Sequence, residues 1–138
     1  MQSSLLDTNV IVRFFVEDPQ KTSSKYRGVF TFFARLETGE IAVELPELIV
    51  FETFFVLTSV YGIPAKEAAS KLDTLICFRG IHIQSLSVLR QCLRLIQAHH
   101  LSLVDAYLVA LAKEKSIHSI YSYDADFLKQ GLKSLEIA

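Results

Sequence analysis

Several carboxylates occupy unusual places in this chain. Asp7 closes the apolar pair Leu5-Leu6 and runs into Thr8-Asn9. Glu52 interrupts the apolar run Leu48-Ile49-Val50-Phe51-Glu52-Thr53-Phe54-Phe55, and Asp105 is the one charge between Leu101 and Val109. Asp124 follows Ile120-Tyr121-Ser122-Tyr123, with Asp126 two residues on. A carboxylate in an apolar setting is costly unless it is paired or bound to a cation. No Lys or Arg stands within four residues of Glu52 or Asp105, so local ion pairs do not account for them. If the acids converge, their repulsion calls for a compensating cation. Oxygen-only ligands suit Mg2+ or Mn2+, an ion able to activate water and to screen the charge of a scissile phosphate. Each acid also has a local explanation. Asp7, Thr8 or Asn9 can cap the helix that follows, and Glu52 can face water. Ser102-x-x-Asp105 is a capping-box pattern, and Asp124 and Asp126 suit a turn and a cap.

The elements that must position these residues alternate between short strands and helices. Strands are expected at 3–7, 41–44, 81–83, 119–122 and 135–137. Helices are expected at 9–16, 19–38, 46–61, 64–78, 86–99 and 102–114, with a helical turn at 126–129. The apolar spacing of Ala68, Leu72, Leu75 and Ile76 exemplifies the helical pattern. Gly39, Gly62, Gly80 and Gly131 each follow a helical stretch, where a left-handed cap costs glycine little. This alternation argues for an α/β fold with a parallel sheet covered on both faces. Such sheets bind ligands beyond the carboxyl ends of their strands, where Asp7 and Asp124 fall.

The length, 138 residues, fits a single domain spanning 1–138. Apolar residues make up 51% of the chain, which suggests that some apolar surface serves a partner. No uninterrupted apolar run is long enough to cross a bilayer, and the first residues lack the basic flank of a signal peptide. The expectation is a cytoplasmic protein without a membrane role. Cys77 and Cys92 form no C-x-x-C and read as buried free thiols. The four histidines lack zinc-ligand spacing. A formal net charge of -1 gives no general basic excess for nucleic acid. Arg13, early in the chain, and Lys129, after the last acidic motif, are the candidates for phosphate contact. Gly-rich phosphate loops, G-x-S-x-G and H-E-x-x-H are all missing.

Taken in order, Leu-Leu-Asp7-Thr8-Asn9-Val-Ile, Glu52 in its apolar helix, Leu-Val-Asp105-Ala-Tyr-Leu-Val-Ala-Leu-Ala and Ser122-Tyr-Asp124-Ala-Asp126-Phe resemble the PIN-domain nucleases. Within them, the chain resembles the small VapC-like toxins of prokaryotic toxin–antitoxin pairs. The resemblance implies a three-layer α/β/α sandwich around a short, mostly parallel sheet. It implies that Asp7, Glu52, Asp105 and Asp124 bind Mg2+ or Mn2+ and are catalytic, with Asp126 assisting the metal. Thr8, Asn9 and Ser122 match small polar positions that orient the carboxylates and the substrate phosphate. It further implies endonucleolytic cleavage of RNA, a homodimer and a small antitoxin protein that blocks the site.

Other readings are weaker. A phospho-receiver domain wants an acidic pair after the first strand and an acceptor Asp after a middle strand, and both are lacking. A haloacid-dehalogenase-type phosphatase needs Asp at position 9, which is Asn. A catalytically silent PIN-like binding module and a nuclease directed at single-stranded DNA remain as alternatives.

Overall fold

A computed structural model describes residues 3–138. The chain runs β1 (Ser4–Leu5), α1 (Thr8–Val16), α2 (Gly28–Thr38), β2 (Val43–Glu44), α3 (Glu47–Ser59), α4 (Ala65–Ile76) and β3 (Ile81–His82). It continues through α5 (Leu86–Ala98), α6 (Leu103–Glu114), β4 (Ser119–Tyr121), a 3-10 helix (Ala125–Gln130) and β5 (Lys133–Leu135). The strands β1, β2 and β3 pair in that order, parallel throughout, with Ser4 opposite Val43 and Val43 opposite Ile81. Parallel neighbours need a crossover between them. Here α1 and α2 carry the chain from β1 to β2, and α3 and α4 from β2 to β3. The result is the expected α/β/α layering.

The core gathers buried side chains from every layer, among them Ile11, Phe33, Val43, Val50, Leu57, Leu72, Leu89 and Ala106. Phe14 stacks on Phe33 at 4.3 Å between ring centroids, joining α1 to α2. Asp73 of α4 pairs with Arg90 and Arg94 of α5 at its rim. The strands β4 and β5 form a separate parallel pair. With the 3-10 helix they pack on α6 through Val109, Ala112, Phe127 and Leu132.

Four sequence expectations are corrected. The helix expected from residue 19 begins only at Gly28. Asp18 Oδ1 accepts the Gln20 N–H at 2.9 Å, and the Asp18 carbonyl accepts the Lys21 N–H. Such local bonds compete with helix, and Thr22-Ser23-Ser24 adds little propensity to oppose them. The last strand lies at 133–135 rather than 135–137. Gly39, Gly62 and Gly131 have positive φ as expected, but Gly80 does not. Its glycine answers to space: a Cβ there would lie 2.0 Å from the Ile41 carbonyl oxygen and 2.8 Å from that of Leu36. Gly80 donates its N–H to Leu36 and accepts from Val43, so backbones converge on it from two elements. Cys77 is exposed, contrary to expectation, whereas Cys92 is a buried free thiol.

Candidate functional site

Asp7 lies where β1 gives way to α1, and it is the N-cap of that helix. Its Oδ1 accepts the Thr8 N–H at 2.7 Å. The capping explanation for this residue is therefore realised, and it fixes the carboxylate at the carboxyl end of a parallel strand. Thr8, buried in the first turn of α1, donates its hydroxyl to Glu52 Oε1 on α3. One threonine thus ties two carboxylates together, through its backbone to one and its side chain to the other. Packing of α1 against α3 makes this contact possible, with Ile11, Val50, Phe54 and Leu57 buried in the shared core.

Asp7 and Glu52 face a common pocket of about 500 Å³, whose walls include Asn9, Arg13, Val56 and Tyr61. Arg13 bonds Glu17, the residue that caps the end of α1, at 3.1 Å, and its guanidinium lies 4.6 Å from the centroid of the Tyr26 ring. The Glu17 carboxylate holds Arg13 above its ordinary pKa, so it is a cation at any working pH.

Asp105, Asp124 and Asp126 do not line this pocket. Among the described residues no three Asp, Glu, His or Cys side chains gather closely enough to hold a metal ion. Local structure explains where they are. Asp105 sits in the first turn of α6, and Ser102 Oγ caps that helix by accepting the Asp105 N–H at 3.1 Å. Asp124 caps the 3-10 helix, its Oδ1 accepting the Asp126 N–H at 2.8 Å. Ser122 Oγ accepts the Asp124 N–H, and Ser134 donates to the Asp124 carbonyl. Ser122 therefore orients Asp124 through its backbone. The helix bearing Asp105 still meets the helix bearing Glu52, because Phe51 and Tyr107 make an edge-on contact at 5.1 Å.

Burial is also corrected. Asp7, Glu52, Asp124 and Asp126 are exposed and Asp105 is half-buried. Water can solvate the four exposed charges, so desolvation imposes no counter-cation on them. Sequence reasoning missed Val12, Val56 and Tyr61 as walls of the acidic pocket. It also missed Lys25 and Tyr26 beside Arg13, which it placed inside a long helix. Their only sequence signal is a cation next to an aromatic residue, which is common on any surface.

The oxygen-bearing side chains around the pocket are the Asp7 and Glu52 carboxylates, the Thr8 and Tyr61 hydroxyls and the Asn9 amide, without sulfur or imidazole. This set fits a hard divalent cation, and Mg2+ commonly binds through one or two carboxylates with waters and substrate phosphate completing its shell. An acidic pocket at the carboxyl end of a parallel strand, within an α/β/α fold, stands where sheets of this kind bind ligands. More specifically, residues 4–132 match the PIN domain, and the chain belongs to that family. PIN domains are generally nucleases and generally use divalent metal ions. Among curated proteins, none matches the chain. No helix among the described residues is long and apolar enough to cross a membrane.

Proposed function

We propose that this chain is a divalent-metal-dependent endoribonuclease, and that it acts as the toxin of a toxin–antitoxin pair. The observation that carries the catalytic reading is the meeting of Asp7 and Glu52. Thr8 and Glu52, 44 positions apart, are bonded directly, and both acids face one pocket. Asp7 and Glu52 would hold Mg2+ or Mn2+. Such an ion supplies screening of the phosphodiester charge and lowers the pKa of the attacking water.

The chain's own residues do the rest. The Thr8 hydroxyl fixes one oxygen of Glu52 and its N–H fixes one of Asp7, which leaves each carboxylate a second oxygen for other work. Asn9 and Arg13 lie on the substrate side, where Arg13 offers a permanent cation to a phosphate. Asp105 and Asp124, with Asp126 beside it, belong to the proposed acidic set by the resemblance of their motifs and not by lining the pocket. The Phe51–Tyr107 contact links the helix of Asp105 to that of Glu52. RNA is the substrate, a small antitoxin protein covers the pocket, and the active form is a homodimer.

The separation of Asp105 and Asp124 from the pocket favours a second reading, a PIN-like module that binds RNA without cutting it. Purified protein incubated with defined RNAs and single-stranded DNA, with and without Mn2+, decides between them when the cut sites are mapped. Mn2+-dependent cleavage of RNA at discrete sites, absent in Asp7→Asn, is the expected result. Intact RNA under every condition would leave the binding module standing, and preferential cutting of DNA would redirect the substrate.

A further inference from the structure

Beside the acidic pocket lies a second one of about 700 Å³, and Asn9 and Arg13 line both. Its apolar wall is Val10, Val29 and Phe32, and its other lining residues include Lys25, Tyr26 and Gly28. The volume falls in the range of small-molecule sites. Its chemistry is mixed in a particular way. The Arg13 guanidinium covers the Tyr26 ring at 4.6 Å, and Lys25 Nζ stands 5.3 Å from the same centroid. Glu17 tethers Arg13 through a 3.1 Å bond, so the arginine–tyrosine pair is braced from behind. An apolar wall with a braced aromatic ring suits a flat, weakly polar group. Two cations against the single Glu17 carboxylate leave a net positive charge that suits an anion attached to it. Bases of single-stranded RNA stack on aromatic rings and guanidinium planes, with basic side chains following the phosphates.

We propose that this pocket is a nucleotide subsite, holding one base of a single-stranded RNA next to the phosphodiester presented to Asp7 and Glu52. Tyr26 and the Val10–Val29–Phe32 wall take the base, Lys25 and Arg13 take its phosphate, and Asn9 stands at the passage between the two pockets. The inference rests on the nuclease reading for the identity of the strand, but binding tests it separately from cleavage. A free nucleotide binder would lack the second pocket as an exit for the continuing chain, so an RNA strand is the occupant favoured.

The test uses a fluorescein-labelled six-nucleotide RNA and the whole protein in EDTA, read by fluorescence anisotropy. Tyr26→Leu should weaken binding about tenfold, the scale of one stacked base. Lys25→Gln should lower the slope of log affinity against log salt by about 0.7, one phosphate's worth for a single strand. Gly28→Leu is the second variant, since a Cβ there meets nothing within 4 Å and Gly28 lines the pocket; its circular dichroism should match the parent, and by filling the pocket it should weaken binding about tenfold. An abasic strand of equal length should bind the parent no better than RNA binds Tyr26→Leu. Parent-like binding by Tyr26→Leu and Gly28→Leu, or equal affinity for the abasic strand, overturns the subsite. Binding with these dependences but without Mn2+-dependent cleavage would uphold the subsite while removing the nuclease reading. Where cleavage occurs, Tyr26→Leu should raise KM and leave kcat near the parent value.

Discussion

At the scale of single residues, Asp7 carries two duties that can be pulled apart. As a helix cap it is replaceable by Asn, which caps about as well. Asp7→Asn should therefore fold with a metal-free stability within about 0.5 kcal/mol of the parent. It should nonetheless lose cleavage and lose the rise in melting midpoint that Mn2+ gives the parent, because an ion that binds only the folded state stabilises it by mass action. Melts with and without Mn2+ measure both. An equal rise in the variant would remove Asp7 from the metal site. Thr8 offers the complementary case. Thr8→Val keeps the shape and removes the hydroxyl that fixes Glu52. Loss of such a supporting bond typically costs about 10–100-fold in metal affinity or activity. Titration of Mn2+ against cleavage rate reads the effect, and an unchanged curve would make the Thr8–Glu52 bond incidental.

At the scale of elements, the junction between α2, β2 and β3 depends on one missing side chain. Gly80 is bracketed by backbone oxygens of Ile41 and Leu36, and backbone cannot step aside as a flexible side chain can. Gly80→Ala should destabilise the fold by at least the ~1–3 kcal/mol usual for overpacking, seen as a lower urea midpoint. The α5–α6 packing contains Cys92, whose Sγ lies 3.8 Å from the Leu103 carbonyl oxygen. Burial, with a smaller effect from Glu47, pushes this thiol up from 9.0 to about 12. The unfolded chain loses the thiol proton first as pH rises. The stabilising contribution is thus complete below the ordinary thiol pKa and is lost as pH climbs towards the folded value. Thiol labelling with an aromatic disulfide at pH 8 should modify exposed Cys77 in the native protein and reach Cys92 only on unfolding. Rapid labelling of both would contradict the packing.

At the scale of the whole molecule, α3 presents apolar residues around its full circumference. Val50, Phe54 and Leu57 enter the core, while Leu48 and Phe55 remain 74% and 48% exposed on the outer side, with Val60 just beyond at 71%. Leu48, Glu52 and Phe55 recur at helical spacing, so the acidic pocket opens beside this stripe. Leu48, Phe55 and Val60 are where the proposed homodimer would bury apolar surface. The proposed homodimer predicts that the parent sediments as a dimer and that Phe55→Lys sediments as a monomer. A monomeric parent at micromolar concentration would overturn the proposed homodimer.

The chain's local chemistry was readable in advance. Asp7, Ser102 and Asp124 cap where their side-chain types suggest, and the helices from α3 to α6 begin and end within a few residues of their patterns, because caps and periodicity depend on neighbours only a few positions away. The order of the acidic motifs likewise sufficed to indicate the PIN family. Tertiary packing alone decided which acids meet. Thr8 reaches Glu52 only because α1 lies against α3, whereas Asp105 and Asp124 stay with the α6 and β4 units that carry them. It also decided exposure. A carboxylate within an apolar run can still face water when its helix turns that side outward, and a glycine after a helix can be required by a converging backbone rather than by its own dihedral angles.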